Sequence, residues 1–310
     1  MLDKGIRGTG RSVSKVSGII AARNERHLLR MVGHLLRTLT GDFEILVGLD
    51  GEPYTAWASM ADSFGGRFRA FAWPQRGLKP TINELARHAT GKYLLKLDSH
   101  CAISEGLDEV LQRDMQPNWM VVPRLYTLDE ATWAPNRPKP HNDYWLVDCP
   151  LTDPKGYRFR AGGYWFERTT ARANVGPLDE SMTHHGSCWF TERAFFLDTL
   201  GGMLVPGYGV SYMEPADLGF RTWMHGGAVM VNKAGWYSHL HQPHTARGYG
   251  VDWPEIKRSY RWTAEHWMRR KDFAALVDRF MPIPTWPADW QARQAAHEAA
   301  TPWDEKWGPQ

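Results

Sequence analysis

Cysteine is scarce: only Cys101, Cys149 and Cys188 occur in 310 residues. An odd number of widely spaced thiols excludes a disulfide framework and a thiolate zinc module, and suits a reducing compartment. Long apolar runs are also missing, since no stretch approaches the ~20 residues a membrane helix needs. The N-terminal MLDKGIRGTGRSVSKVSGII has no apolar segment before Val16, as a secretory leader would. The expectation is a soluble, cytoplasmic protein. Neither GxGxxG nor GxxxxGK[ST] is present, which argues against a dinucleotide or P-loop cradle. Charge of one sign is not in excess: 37 Lys and Arg against 34 Asp and Glu leave a net +3, a weak pull toward acidic partners. What the chain has in quantity is 16 tryptophans and 13 histidines. Tryptophan supplies stacking faces for sugars or bases, and equally well fills a core.

Over the first ~100 residues, apolar runs alternate with helical patterns. KVSGIIAA (15–22) reads as a buried strand ending in Arg23-Asn24-Glu25, and Leu28, Leu29, Val32, Leu35, Leu36 and Leu39 then recur at helical spacing. DFEILVGLDG is a second strand ending at Asp50, and GRFRAFAWPQRG a third. A helix starting at Pro80-Thr81 and stopping at Gly91 leads into KYLLKLDSH. This order predicts an α/β fold with a mostly parallel sheet, whose ligands gather at the carboxyl ends of the strands. Arg23-Asn24, Asp50 and Asp98-Ser99-His100 should therefore share one rim.

Residues 127–185 lose the alternation and read as an irregular excursion with short antiparallel pieces, an acceptor-side wall. HHGSCWFTERAFFLDTLGG predicts a turn, a strand and a helix. MEPADLGFRTWMHGG predicts a helix with acids at its start, and VMV a last strand feeding a histidine-bearing loop. We read 1–252 as the catalytic domain and 253–310 as a basic, Trp-rich helical extension.

Three clusters carry chemistry. Asp98 and His100 lie two apart, so on an extended chain both side chains point one way and offer a half-site for a divalent cation. Mixed oxygen and nitrogen donors suit Mn²⁺, and Zn²⁺ also uses them. A bare DxH is as readily a turn cap beside a surface histidine. His239, His241 and His244 form HxHxxH after a strand, either a zinc-hydrolase site or solvated histidines. Glu214 and Asp217 share a helix face, either to bind hydroxyls or act as a base, or only to complement the helix dipole.

Taken in order, these segments resemble the GT-A glycosyltransferases, specifically the catalytic domain of the polypeptide N-acetylgalactosaminyltransferases beside glycosyltransferase family 2. LLKLDSHCAIS resembles the strand-ending DxH motif. RGLKPTINELARHATGKYLL is similar to the helix before it, HHGSCWFTERAFF to the small-residue segment before the acceptor region, MEPADLGFRTWMHGG to the acidic helix, and WYSHLHQPH to the loop supplying a third metal ligand. The resemblance spans roughly residues 15–250. It implies a GT-A fold, a UDP-sugar donor and a divalent cation such as Mn²⁺. Asp98 and His100 would hold metal and diphosphate, with His241 or His239 as third ligand. Arg23, Asn24, Asp50, Arg76 and Asn83 would line the donor side. Glu214 and Asp217 would be the acids of the catalytic helix, and Trp189 would lie near sugar and acceptor.

Inverting members of family 2 place a base in a Glu-Asp pair where this chain has Glu214-Pro215, so the resemblance favours retention of anomeric configuration. The acceptor is expected to be a hydroxymethylated base of phage-type DNA, given the basic, Trp-rich tail, in a bacterium or a phage-infected host; the alternative is a protein or glycan hydroxyl.

Overall fold

The computed structural model describes residues 14–52, 66–159, 163–241, 250 and 252–301. Strands β1 (Val16–Ala22), β2 (Phe43–Asp50), β3 (Phe68–Trp73) and β4 (Tyr93–Leu97) are the four apolar runs read from the sequence. They lie parallel in the order β4-β1-β2-β3. Between them run α1 (Leu28–Thr38) and α2 (Leu78–His88). In α1 the buried residues Leu28, Met31, Val32 and Leu35 form one stripe, while Leu29, one step off it, is 58% exposed. Helix α2 starts two residues before the expected Pro80. Gly77 stands at its N-cap with φ 92, a conformation open to glycine, and the amides of Arg76 and Gly77 donate to the Asp50 carboxylate at 2.6 and 3.1 Å.

The second half of the sheet is mixed. After β5 (Cys101–Ile103) and helix α3 (Leu107–Arg113), β6 (Trp119–Asp129) opens the excursion. The excursion contains β7 (Ala134–Pro135), β8 (Trp145–Leu146), β9 (Gly163–Tyr164), helix α4 (Phe166–Ala171) and β10 (Leu178–Glu180). Strand β11 (Cys188–Glu192) then inserts antiparallel between β4 and β6. Helix α5 (Glu214–Met224) precedes β12 (Ala228–His239), which runs parallel to β6 and antiparallel to β5. Strand β12 is far longer than the expected VMV, so His239 is its last residue and not part of the following loop.

Two hydrophobic clusters hold these layers. The first joins the sheet to α1 and α2. The second joins Tyr144, Phe159 and Trp165 of the excursion and Phe220 of α5 to Trp267, Phe273 and Trp290 of the tail. The tail helices α6 (Trp253–Met268), α7 (Lys271–Phe280) and α8 (Trp290–Ala300) therefore share a core with the excursion and α5. Among the described tail residues Trp267, Trp286 and Trp290 are buried in that core, whereas Trp253 is 50% exposed. No helix among the described residues is long and apolar enough to cross a membrane.

Candidate active site

Topology brings three distant segments to one corner. Strand β11 is antiparallel to β4, so its beginning meets β4's end: Cys188 pairs with Leu97, and the Asp98 amide donates to the Ser187 carbonyl at 2.8 Å. Strand β12 ends beside β5, where His239 pairs with Cys101 and the Leu240 amide donates to the His100 carbonyl at 3.1 Å. Residues 98–100, 185–187 and 239–241 thus converge.

Asp98, His100 and His239 place one ligand atom each within 4.8 Å of one another. His239 Nε2 lies 3.3 Å from Asp98 Oδ2, while Nδ1 has no hydrogen-bond partner although the side chain is buried. Buried polar atoms are rarely left so without a ligand to meet them. Burial pushes the His239 imidazole down to about 4, which keeps it neutral and able to donate a lone pair. One carboxylate and two imidazoles, one of them with an unpartnered nitrogen, fit a divalent cation.

Surrounding contacts fix the ligands. The Lys96 ammonium, 1% exposed, donates to Asp98 Oδ1 at 2.5 Å and to the Gly186 carbonyl at 2.6 Å. Burial disfavours the Asp98 carboxylate, but Lys96 and His239 hold it ionised, well below its ordinary range. His100 Nδ1 meets Glu25 Oε2 at 2.9 Å, which orients the ring. Gly186 allows a close approach: a Cβ there would sit 2.7 Å from Pro215 and 3.1 Å from Glu214 Oε1. Glu214 Oε2 is buried without a hydrogen-bond partner.

The other expected residues are differently placed. Trp189 is 0% exposed, its ring stacked on Phe196 at 5.1 Å. The alternation of β11 turns it into the core. Asp217 is buried, its carboxylate taking Arg221 Nε at 2.8 Å. Arg221 in turn donates to the Leu200 and Gly202 carbonyls, so Asp217 braces the helix against that loop. Asn83 exchanges two hydrogen bonds with the Met203 backbone, at 2.9 and 2.7 Å, and Asp50 is engaged by loop amides. At the rim, Asn24 sits at φ 49 with its amide donating to Glu52, just after Arg23. Arg76 lies over Trp73, 4.9 Å from the ring centroid.

His241 stands next to His239, with ring centroids 4.7 Å apart, and outside the Asp98 group. His244 lies outside the described residues. Sequence reasoning overlooked Glu25, Lys96 and His185. A lone lysine in the apolar run YLLKL and the unusual His184-His185 pair were the available signals.

A parallel half-sheet extended by an antiparallel insertion, with a carboxylate-imidazole corner at the end of its fourth strand, defines a GT-A glycosyltransferase fold. The fold is shared with the crystal structure of GalNAc-T7 with UDP, GalNAc and Mn²⁺: TM-score 0.64 and 17% identity, over 92% of this chain and 55% of that one. It is shared also with Staphylococcus aureus TarS in complex with UDP-GlcNAc, at TM-score 0.53 and 12% identity over 86% and 72% of the two chains. The chain belongs to glycosyl transferase family 2, whose profile it matches over residues 17–197, more than half its length. A Drosophila melanogaster relative carrying the provisional name polypeptide N-acetylgalactosaminyltransferase 13 is 26% identical over 268 residues. The match takes in 78% of this chain and 43% of that relative, so the chain spans less than half of its length. Family membership replaces the zinc-hydrolase reading of HxHxxH.

Proposed function

We propose that this chain transfers a hexose or N-acetylhexosamine from a UDP-sugar to a hydroxyl acceptor, using a divalent cation, Mn²⁺ by preference. The observation that carries the reading is the corner itself: Asp98, His100 and a buried His239 whose Nδ1 is unpartnered. Those three side chains would hold the cation, which when bound supplies Lewis-acid neutralisation of the donor's diphosphate. Lys96 holds Asp98 Oδ1, so that Oδ2 faces the site, and Glu25 holds His100. The free Glu214 oxygen is an acceptor suited to a sugar hydroxyl.

The acceptor oxygen forms a bond to the anomeric carbon as the bond from that carbon to the β-phosphate oxygen breaks, and the acceptor proton passes to the departing phosphate, giving UDP and the glycoside. Position 215 is proline, so no carboxylate follows Glu214 to take that proton from the opposite face, which supports retention. The three cysteines are buried and unpaired, in keeping with a reducing, cytoplasmic setting.

For the acceptor we favour a hydroxymethylated base in DNA. The outer face of α6 carries exposed Trp253, Lys257, Arg258 and Arg261, an aromatic beside cations that suits phosphate and an unstacked base. The relatives' names favour the alternative, a protein or glycan hydroxyl. The test is Mn²⁺-dependent turnover of a UDP-sugar panel, with hydroxymethylated DNA and peptide acceptors in parallel. Loss of turnover in Asp98→Ala is the expected result. Full donor turnover in that variant would refute the site, and transfer to peptide alone would refute the DNA acceptor.

A further inference from the structure

Beside the Asp98 corner stands a second group, made only of imidazoles. His185, His239 and His241 place one ligand atom each within 4.8 Å of one another, with ring centroids 5.3, 4.7 and 5.9 Å apart. The first comes from the entry to β11 and the other two from the end of β12, so the group exists only because these ends meet. Each ring is steadied from outside. Ser187 Oγ lies 2.5 Å from His185 Nδ1 and 3.0 Å from the Tyr237 hydroxyl, and the Tyr164 hydroxyl lies 2.8 Å from His241 Nε2. Outer contacts of this kind orient ligating imidazoles. The shared member, His239, is 8% exposed and its Nδ1 is buried without a partner, the mark of a missing ligand and not of a stacked aromatic wall.

We propose that His185, His239 and His241 form a second cation seat that competes with the Asp98, His100 and His239 seat for the shared imidazole. Three nitrogens and no carboxylate select a borderline cation, Zn²⁺ or Co²⁺, over Mn²⁺, which prefers oxygen. A tetrahedral ion with bonds of ~2.0–2.1 Å brings its ligands about 3.4 Å apart, so the three side chains close on the ion by rotation. His241, on the solvent side, is the member with room to move. A cation in this seat engages His239 and thereby weakens Mn²⁺ in the other.

The two seats are separable by metal. Metal-free protein is titrated with Co²⁺, read by the intense visible bands of four-coordinate Co²⁺, and separately with Mn²⁺, read by the paramagnetic resonance of the free ion. His185→Ala and His241→Gln are each expected to weaken Co²⁺ at least tenfold and dim its bands, while Mn²⁺ affinity stays within about twofold. Asp98→Ala is expected to do the reverse, and Zn²⁺ to expel bound Mn²⁺ from the unaltered protein. Unchanged Co²⁺ affinity and spectrum in His241→Gln would overturn the proposal even if His185→Ala failed to fold, because His241 lies at the surface. Loss of the Co²⁺ bands in Asp98→Ala would overturn it too, by placing both metals in one seat. Failure of Asp98→Ala to weaken Mn²⁺ strikes instead at the donor-side seat and leaves the imidazole seat standing.

Discussion

The rim of the first three strands and the corner where β4, β11 and β12 meet are built from the same kinds of residue, yet their polar atoms fare differently. On the rim they are spent within the protein. Asp50 takes the amides of residues 76 and 77, and the same holds behind the rim: Asn83 of α2 exchanges two bonds with Met203, and at the opposite end of β2 buried Glu44 accepts from Ser17, Thr90 and Arg69. In the corner, Nδ1 of His239, one oxygen of Glu214 and Nε2 of His184 are buried without a hydrogen-bond partner. Each such atom costs about 1–3 kcal/mol unless something meets it. The rim shapes the fold; the corner holds potential that only a ligand discharges.

The largest effect expected from breaking this contrast is in the corner. Asp98→Ala should lower kcat/KM for sugar transfer by on the order of 10³-fold, since it removes charge stabilisation at the leaving group, and should lower the urea midpoint as well, since the buried Lys96 ammonium loses its carboxylate. Lys96→Met should cost about 1–3 kcal/mol in metal-free protein, because it leaves the partly exposed Asp98 carboxylate without its ammonium partner. Saturating Mn²⁺ should restore part of the lost Tm by replacing the missing positive charge, whereas an equal shift of Tm by Mn²⁺ in both proteins would deny the link.

Variants in the first three strands and α2, away from the corner, should move stability and not metal affinity. Burial opposes ionisation of Glu44, but its hydrogen bonds hold the carboxyl at about 2, below the ordinary 4.5. The folded value is depressed, so its stabilisation is present in full above pH 4.5 and is lost as pH falls from there through about 2. Lowering pH from 6 to 3 should cost about 2 kcal/mol through this group, and Glu44→Gln should flatten that part of the urea-midpoint profile. The smallest effect, about 1 kcal/mol, is expected for Asn83→Ala, which frees the Met203 backbone. Unchanged Mn²⁺ affinity in that variant would keep this region and the corner distinct.

Periodicity and strand ends made the first half of the fold legible: β1, β2, β3 and β4 fall on the four apolar runs, and DSH sits at the end of β4. The ordered set of motifs made the GT-A class legible too. The burial of Trp189 was not legible, because a five-residue strand such as β11 does not declare which of its alternating faces meets the core. Lys96 and Glu25 were overlooked for a related reason. Their meaning depends on partners 2 and 75 positions away along the chain, met through strand register and a loop.

By itself, then, the sequence determined the alternation of strand and helix, the strand-ending Asp98 and His100, and the family, because these depend on local spacing and on residue order. Tertiary structure decided which later histidine stands opposite them. The long pairing of β12 with β6 and β5 carries His239 to the corner and leaves His241 a step outside. The antiparallel insertion of β11 adds His185. Register between strands far apart in the chain is a property of the whole packed sheet, which no local pattern encodes.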